Sequence, residues 1–226
     1  MVLKGSTHLT RNVRLGASAR RRLAGALSAV LLMSQLAVAK APERTMLATT
    51  PRPVSDFALT NQQGKTFRLS QLSGAPVLVF FGFSHCPSVC PAALTQLRML
   101  ETNHARELGA TRIVIVSVDG ERDTPARMAE WLTPISPKFI GLTGPTAQVH
   151  DIASQFSAAF FKGSAQPSGE YLVEHNAQVF LLDGQGRLRA TFFDAPVATM
   201  AEVTQSIASG SDPGPAPGSG SQPPGD

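Results

Sequence analysis

The run Pro76-Val77-Leu78-Val79-Phe80-Phe81-Gly82 leads through Phe83-Ser84-His85 into Cys86-Pro87-Ser88-Val89-Cys90-Pro91. Its first half is continuously apolar, the pattern of a strand buried on both faces. Its second half holds the two cysteines of the chain, four residues apart. Pro91 deep inside a helix would remove a backbone bond and clash with the preceding turn, so the regular helix is expected to begin at Pro91. Cys90 then sits near the cap, and residues 86–89 form a tight turn leading in. Both sulfurs are expected near free amide groups and the positive helix end, a setting that lowers thiol pKa. A thiolate is both a nucleophile and a soft metal ligand.

Outward from this centre the chain alternates strands and helices. Residues 57–60 and 65–69 flank a Gln-Gly turn and read as a hairpin. Apolar positions at helical spacing predict a helix over 92–108. Residues 112–118, with Ile113-Val114-Ile115-Val116 at their centre, read as a second buried strand. Thr124 as N-cap and Pro125 in the first turn open a helix to residue 132. A short strand over 139–142 and a helix over 146–160 follow. Strands over 177–182 and 188–193 are joined by Asp183-Gly184-Gln185-Gly186, a strong hairpin signal. A helix over 197–207 closes the domain. This order predicts an α/β fold, a central mixed sheet flanked by helices with an N-terminal β-hairpin. A strand, a cysteine motif and then a helix is the entry of a thioredoxin-like domain.

The two ends read differently. Residues 1–40 carry seven basic residues and no acidic one, and an apolar stretch of 17 residues ends in Ala37-Val38-Ala39. These are the parts of a secretory signal peptide, and the stretch is short for a spanning helix of about 20 residues. A retained N-terminal membrane anchor and a mitochondrial transit peptide are the alternatives. Arg20-Arg21-Arg22 offers a twin-arginine pair without supporting neighbours. Residues 41–52 read as a linker and 53–208 as the domain. Residues 209–226 are a Gly/Pro/Ser tail, too poor in apolar surface to offset its ordering entropy. Without the leader, thirteen basic residues face sixteen acidic ones, a net charge of −3. The high pI belongs to the leader, and nothing in the remainder indicates nucleic-acid binding.

Three chemistries remain open for the cysteine pair. An exported structural disulfide would close so small a loop that its stabilisation falls below the ~3 kcal/mol of a 15-residue loop. A thiol-disulfide oxidoreductase or peroxidase-like enzyme would use Cys86 as its nucleophile. Three intervening residues, rather than two, also give two thiolates freedom to bracket one soft ion. Five histidines are candidate partners. His8 lies in the leader, His85 neighbours Cys86 and is expected to point away, and His104 and His150 fall on predicted helix surfaces. His175 follows a polar loop and precedes the strand starting near Ala177. In a thioredoxin-like domain that strand end lies beside the cysteine loop. Dithiol oxidoreductases of that fold usually have a cis-proline there, whereas this chain has Glu174-His175-Asn176. Zinc would need a fourth ligand, and none is obvious.

The segments 80–91, Ser117-Val118-Asp119-Gly120-Glu121-Arg122-Asp123-Thr124-Pro125, Gly141-Leu142-Thr143-Gly144 and Tyr171-Leu172-Val173-Glu174-His175-Asn176 together resemble the Sco/SenC proteins. These are copper-binding, thioredoxin-fold factors of cytochrome c oxidase assembly. The resemblance covers residues 54–207. It implies that Cys86, Cys90 and His175 bind copper, as Cu(I), Cu(II) or both, and that Cys86 and Cys90 form a redox-active disulfide. It implies an exported or anchored domain, in the bacterial periplasm or on the mitochondrial intermembrane-space side. Its partners would be the CuA-bearing subunit of the oxidase and other copper chaperones. Its work would be copper supply to CuA or reduction of that site's cysteines, not enzymatic turnover. Asp119 matches a family aspartate near the metal loop and is a candidate for tuning the ligands from outside, or else a strand-end residue capping the next turn. Arg122 and Asp123 read as a solvated pair or a partner-facing patch; Phe80, Phe81, Phe83 and Trp131 read as packing. The chain departs from the family pattern at Ser88 (often Asp), Gly120 (usually Pro) and Glu174-His175-Asn176 (usually Asp-His-Ser). N-terminal sequencing of the mature protein tests the leader: a start beyond Ala39 establishes cleavage, and a start at Met1 rejects it.

Overall fold

The computed structural model describes residues 44–164, 171–175 and 177–211. The leader (1–40), Asn176 and most of the Gly/Pro/Ser tail lie outside the described residues. Eight strands form one mixed sheet: β1 (Arg44–Pro53), β2 (Ala58–Asn61), β3 (Thr66–Arg68), β4 (Val77–Gly82), β5 (Arg112–Ser117), β6 (Ile140–Thr143), β9 (Val179–Leu182) and β10 (Arg187–Phe193). Their order is β1-β10-β9-β4-β5-β6-β2-β3. β4, β5 and β6 run parallel, as the intervening helices require, and the remaining pairs are antiparallel. Among the described residues, β7 (Phe160–Lys162) and β8 (Val173–His175) pair only with each other.

All six residues of β4 are buried. The pleat then divides its neighbours. Phe81 turns to one face and meets Phe156 and Phe180 edge-on, with ring centroids 5.3 and 5.9 Å away. Phe80 and Gly82 turn to the other face, toward the first turn of α1 (Val89–Asn103), where Cys90 sits. Phe156 caps α4 (Thr146–Gln155), so these helices cover opposite faces of the central strand. α5 (Val197–Ala208) packs against α1, and α3 (Pro125–Leu132) packs on β6. Thr124 caps α3 as expected, its Oγ1 accepting the Arg127 amide at 3.2 Å. The β2–β3 hairpin is docked by Gln62, whose amide donates to the Phe139 carbonyl at 2.8 Å and accepts from the Gly141 amide at 2.7 Å. Among the described residues no helix is long and apolar enough to cross a membrane.

Three expectations need correction. Residues 44–53, read mostly as linker, form β1 at the edge of the sheet against β10. Pro51 and Pro53 obscured the strand pattern, yet an edge strand tolerates missing donors. The helix expected over 92–108 breaks at His104 (φ −124°, ψ 32°), leaving the short α2 (Ala105–Leu108). Thr102, Asn103 and His104 are weak helix formers, and Thr102 bonds back to the Arg98 carbonyl at 2.9 Å. The helix expected over 146–160 ends at Gln155, because Ser157 adopts φ +58° and the chain turns into β7.

The β9–β10 turn is organised by Asp183. Its carboxylate accepts the Gln185 and Arg187 amides at 3.0 Å and the Arg187 Nε at 2.8 Å. Burial works against ionisation, but these bonds outweigh it and hold the carboxyl below its ordinary value of 3.8. A depressed pKa contributes stability that is present above the unfolded value and lost as pH falls through the folded one. Asp183→Asn is therefore expected to cost about 1–2 kcal/mol at pH 7. The gap between wild type and variant should close below pH ~4, as followed by denaturation midpoints across pH.

Candidate metal centre

The cysteine loop begins where β4 ends. The Cys86 amide donates to the Phe83 carbonyl at 3.3 Å, closing the turn. α1 begins at Val89, two residues earlier than expected, which puts Cys90 and Pro91 in its first turn. First-turn amides have no partner within the helix, so Pro91 loses no bond there. The Cys90 amide is one of these free donors, and it points at Cys86 Sγ, 3.4 Å away. Ser88 caps the helix without a side-chain bond and is exposed.

Cys86 is 8% exposed and Cys90 is fully buried; both thiols are free. For Cys90 the expectation of a lowered pKa is overturned. Burial pushes its thiol up, and the neighbouring Cys86 adds to this; the Phe83 backbone works the other way without prevailing.

His175 ends β8, opposite Phe160 in register. Its Nε2 lies 3.2 Å from Cys90 Sγ. Phe80 and Phe83 meet its ring edge-on at 6.1 and 5.5 Å. The ligating atoms of Cys86, Cys90 and His175 all lie within 4.8 Å of one another. Among the described residues no other His, Cys, Asp or Glu joins this group. Two sulfurs and one imidazole are donors for a soft or borderline ion, and no oxygen donor for a hard one is present among them.

The other histidines lie elsewhere. His85 turns to Ser84 Oγ (3.0 Å), His104 approaches Glu107 (3.8 Å), and His150 stacks on Phe160 at 3.9 Å. Asp119 is 3% exposed and outside the donor group. Its carbonyl caps the turn through the Arg122 and Asp123 amides, and its carboxylate accepts from Arg122 Nε (2.5 Å) and the Tyr171 hydroxyl (2.7 Å). Arg122 and Asp123 are not a solvated pair. Arg122 binds Asp119, while Asp123 is fully buried and accepts from the Ser84 amide (3.0 Å), Ser84 Oγ (2.6 Å) and Ser117 Oγ (2.7 Å). Asp123 thereby fixes the start of the cysteine loop to β5. Sequence reasoning missed this anchor and the role of Tyr171. The one available signal was that the only tyrosine of the chain stands four residues before His175.

Residues 46–209 match the family model described as SCO1/SenC. The chain belongs to the SCO1/SenC family. The SCO2-like protein RC0895 of Rickettsia conorii is 31% identical over 140 residues, 61% of this chain and 68% of the relative. Bradyrhizobium japonicum ScoI, solved with copper bound, superimposes at a TM-score of 0.63 with 30% identity, covering 69% of this chain and 99% of that one. Yeast Sco1 with copper bound gives 0.60 and 27% identity, covering 69% and 90%. The SCO1/SenC match begins inside β1, which makes that edge strand part of the family domain. The departure at Gly120 has a local cause: a Cβ there would lie 2.0 Å from the Gly144 carbonyl oxygen.

Gly82 is the tightest point of the centre. A Cβ there would sit 3.0 Å from Cys90 Sγ and 2.6 Å from the Phe80 ring. Gly82→Ala is expected to lower stability by about 1–3 kcal/mol and to raise the reactivity of the Cys90 thiol toward an alkylating probe. Chemical denaturation and timed thiol labelling check the two effects.

Proposed function

We propose that this SCO1/SenC domain is a copper-binding metallochaperone that holds copper on Cys86, Cys90 and His175 and delivers it for assembly of the CuA site of cytochrome c oxidase. The carrying observation is the convergence of two thiols and one imidazole within 4.8 Å, with no fourth donor among the described residues. That set matches the preference of Cu(I) for soft, low-coordinate sites, and the imidazole extends it to Cu(II). Copper here is cargo. The thiolates hold it, the imidazole completes the set, and a partner's thiolates replace them in turn. Two solved relatives with copper bound support the reading. The partner expected from the family resemblance is the CuA-bearing subunit, with other copper chaperones upstream. The basic, apolar leader supports an exported domain, free in the periplasm or held at the inner membrane facing it.

The second reading is thiol reduction, either toward the CuA cysteines or as a general disulfide reductase. It is favoured by two free thiols in one loop, with the Cys90 amide 3.4 Å from Cys86 Sγ. Stoichiometric copper titration of the reduced protein, wild type beside His175→Ala, tests the first reading. The variant is expected to lose affinity by about 100-fold or more, beyond the roughly 10–100-fold of an outer-shell change. An unchanged affinity removes the three-donor site. Robust steady-state disulfide reduction by metal-free protein would reverse the order of the two readings.

A further inference from the structure

The imidazole and the two thiols stand on separate pieces of structure. Cys86 and Cys90 hang from β4 and α1 in the main sheet and its helix layer, whereas His175 belongs to the two-stranded β7–β8 hairpin. That hairpin has three residue pairs: Phe160↔His175, Phe161↔Glu174 and Lys162↔Val173. An isolated ladder of this size is marginal in water. Phe160, directly opposite His175, and Val173 anchor it to the core. Side chains beyond the ladder add a second hold.

Tyr171 lies two residues before β8. Its hydroxyl donates to Asp119 Oδ1 at 2.7 Å. Asp119 follows β5, the strand that pairs with β4 along its whole length, and its own amide is held by Ser117 Oγ at 3.0 Å. The tyrosine is therefore tied to a fixed point beside the cysteine loop. The other carboxylate oxygen binds Arg122, whose guanidinium lies 3.7 Å from the centre of the Tyr171 ring and 5.9 Å from that of Phe83. Phe83 in turn meets His175 edge-on at 5.5 Å. The opposite strand is tied to the same loop: Lys162 Nζ lies 2.6 Å from Glu121 Oε2 and 4.0 Å from the Tyr171 ring centre. Both strands of the hairpin are thus fastened to residues 119–122.

We propose that Tyr171, through its hydroxyl bond to Asp119 and its stack on Arg122, is a positioning latch that holds the His175 strand against Cys86 and Cys90. The bond ends on a carboxylate that is 3% exposed, which separates it from an adventitious surface contact. The inference rests on His175 being a copper ligand only in its consequence for affinity. The placement of the hairpin is testable without metal.

Tyr171→Phe keeps the ring and both cation contacts and removes only the hydroxyl. In the full, metal-free chain, the backbone amides of residues 160–162 and 173–175 are expected to exchange with deuterium about tenfold faster, while β4 and β5 keep their protection. Cu(I) affinity, read by competition with a chromophoric chelator, is expected to fall about tenfold in the wild-type background and not at all in a His175→Ala background. Unchanged hairpin exchange would overturn the latch. So would an equal loss of affinity in both backgrounds, since the hydroxyl would then act on the thiols or on the whole fold. If His175→Ala itself leaves affinity unchanged, the ligand reading of His175 fails, and the hairpin exchange alone decides the latch.

Discussion

The structure depends on how closely α1 can approach the end of β4. Gly82 is the last residue of that strand, and the space a side chain would fill is taken by the Phe80 ring and by Cys90 Sγ. A helix brought this close directs its first-turn amides at the cysteine loop, and one of them meets Cys86 Sγ. The same closeness buries Cys90 completely. Proximity and desolvation come from one packing decision, and for Cys90 desolvation prevails over the helix end.

Around that contact the sheet supplies rigidity in layers. β5 pairs with β4 along six residue pairs and carries Asp123, whose buried carboxylate gathers Ser84 and Ser117. A buried carboxylate is costly unless its lone pairs are used. Here three donors use them, and they tie the start of the loop to β5. The sulfurs of Cys86 and Cys90 follow directly from that loop start, and with His175 Nε2 beside Cys90 the three side chains offer donor atoms within 4.8 Å of one another.

Much of this architecture was legible in the sequence because it follows from local chemistry. The apolar run of β4, the Thr124-Pro125 helix start and the Asp183-Gly184 turn all report near neighbours along the chain. His175 stood out on different grounds, by comparison with a fold that usually has proline at that place and by the resemblance to the Sco/SenC proteins. The parts that were not legible join distant residues or depend on solvent exclusion. Pairing of Tyr171 with Asp119 spans 52 positions, and no periodicity encodes it. Burial of Cys90 is set by the helix packing above it, so its thiol moved opposite to the local expectation. β1 was hidden for another reason: two prolines suit an outermost strand that the chain alone cannot identify as outermost.

The division of the donors between a main sheet and a separate hairpin bears on how such a domain evolves. Residues that set the sulfur positions are the residues that hold the fold together, so substitutions there change both. The imidazole stands on a small ladder, anchored to the core by Phe160 and Val173 and tied by Tyr171 and Lys162 to residues 119–122. Under the proposed copper reading, binding strength is then adjustable through the Tyr171 and Lys162 bonds without altering the packing of Gly82 against Cys90. The sulfurs belong to the chassis of the fold, and the imidazole to a separately adjustable grip.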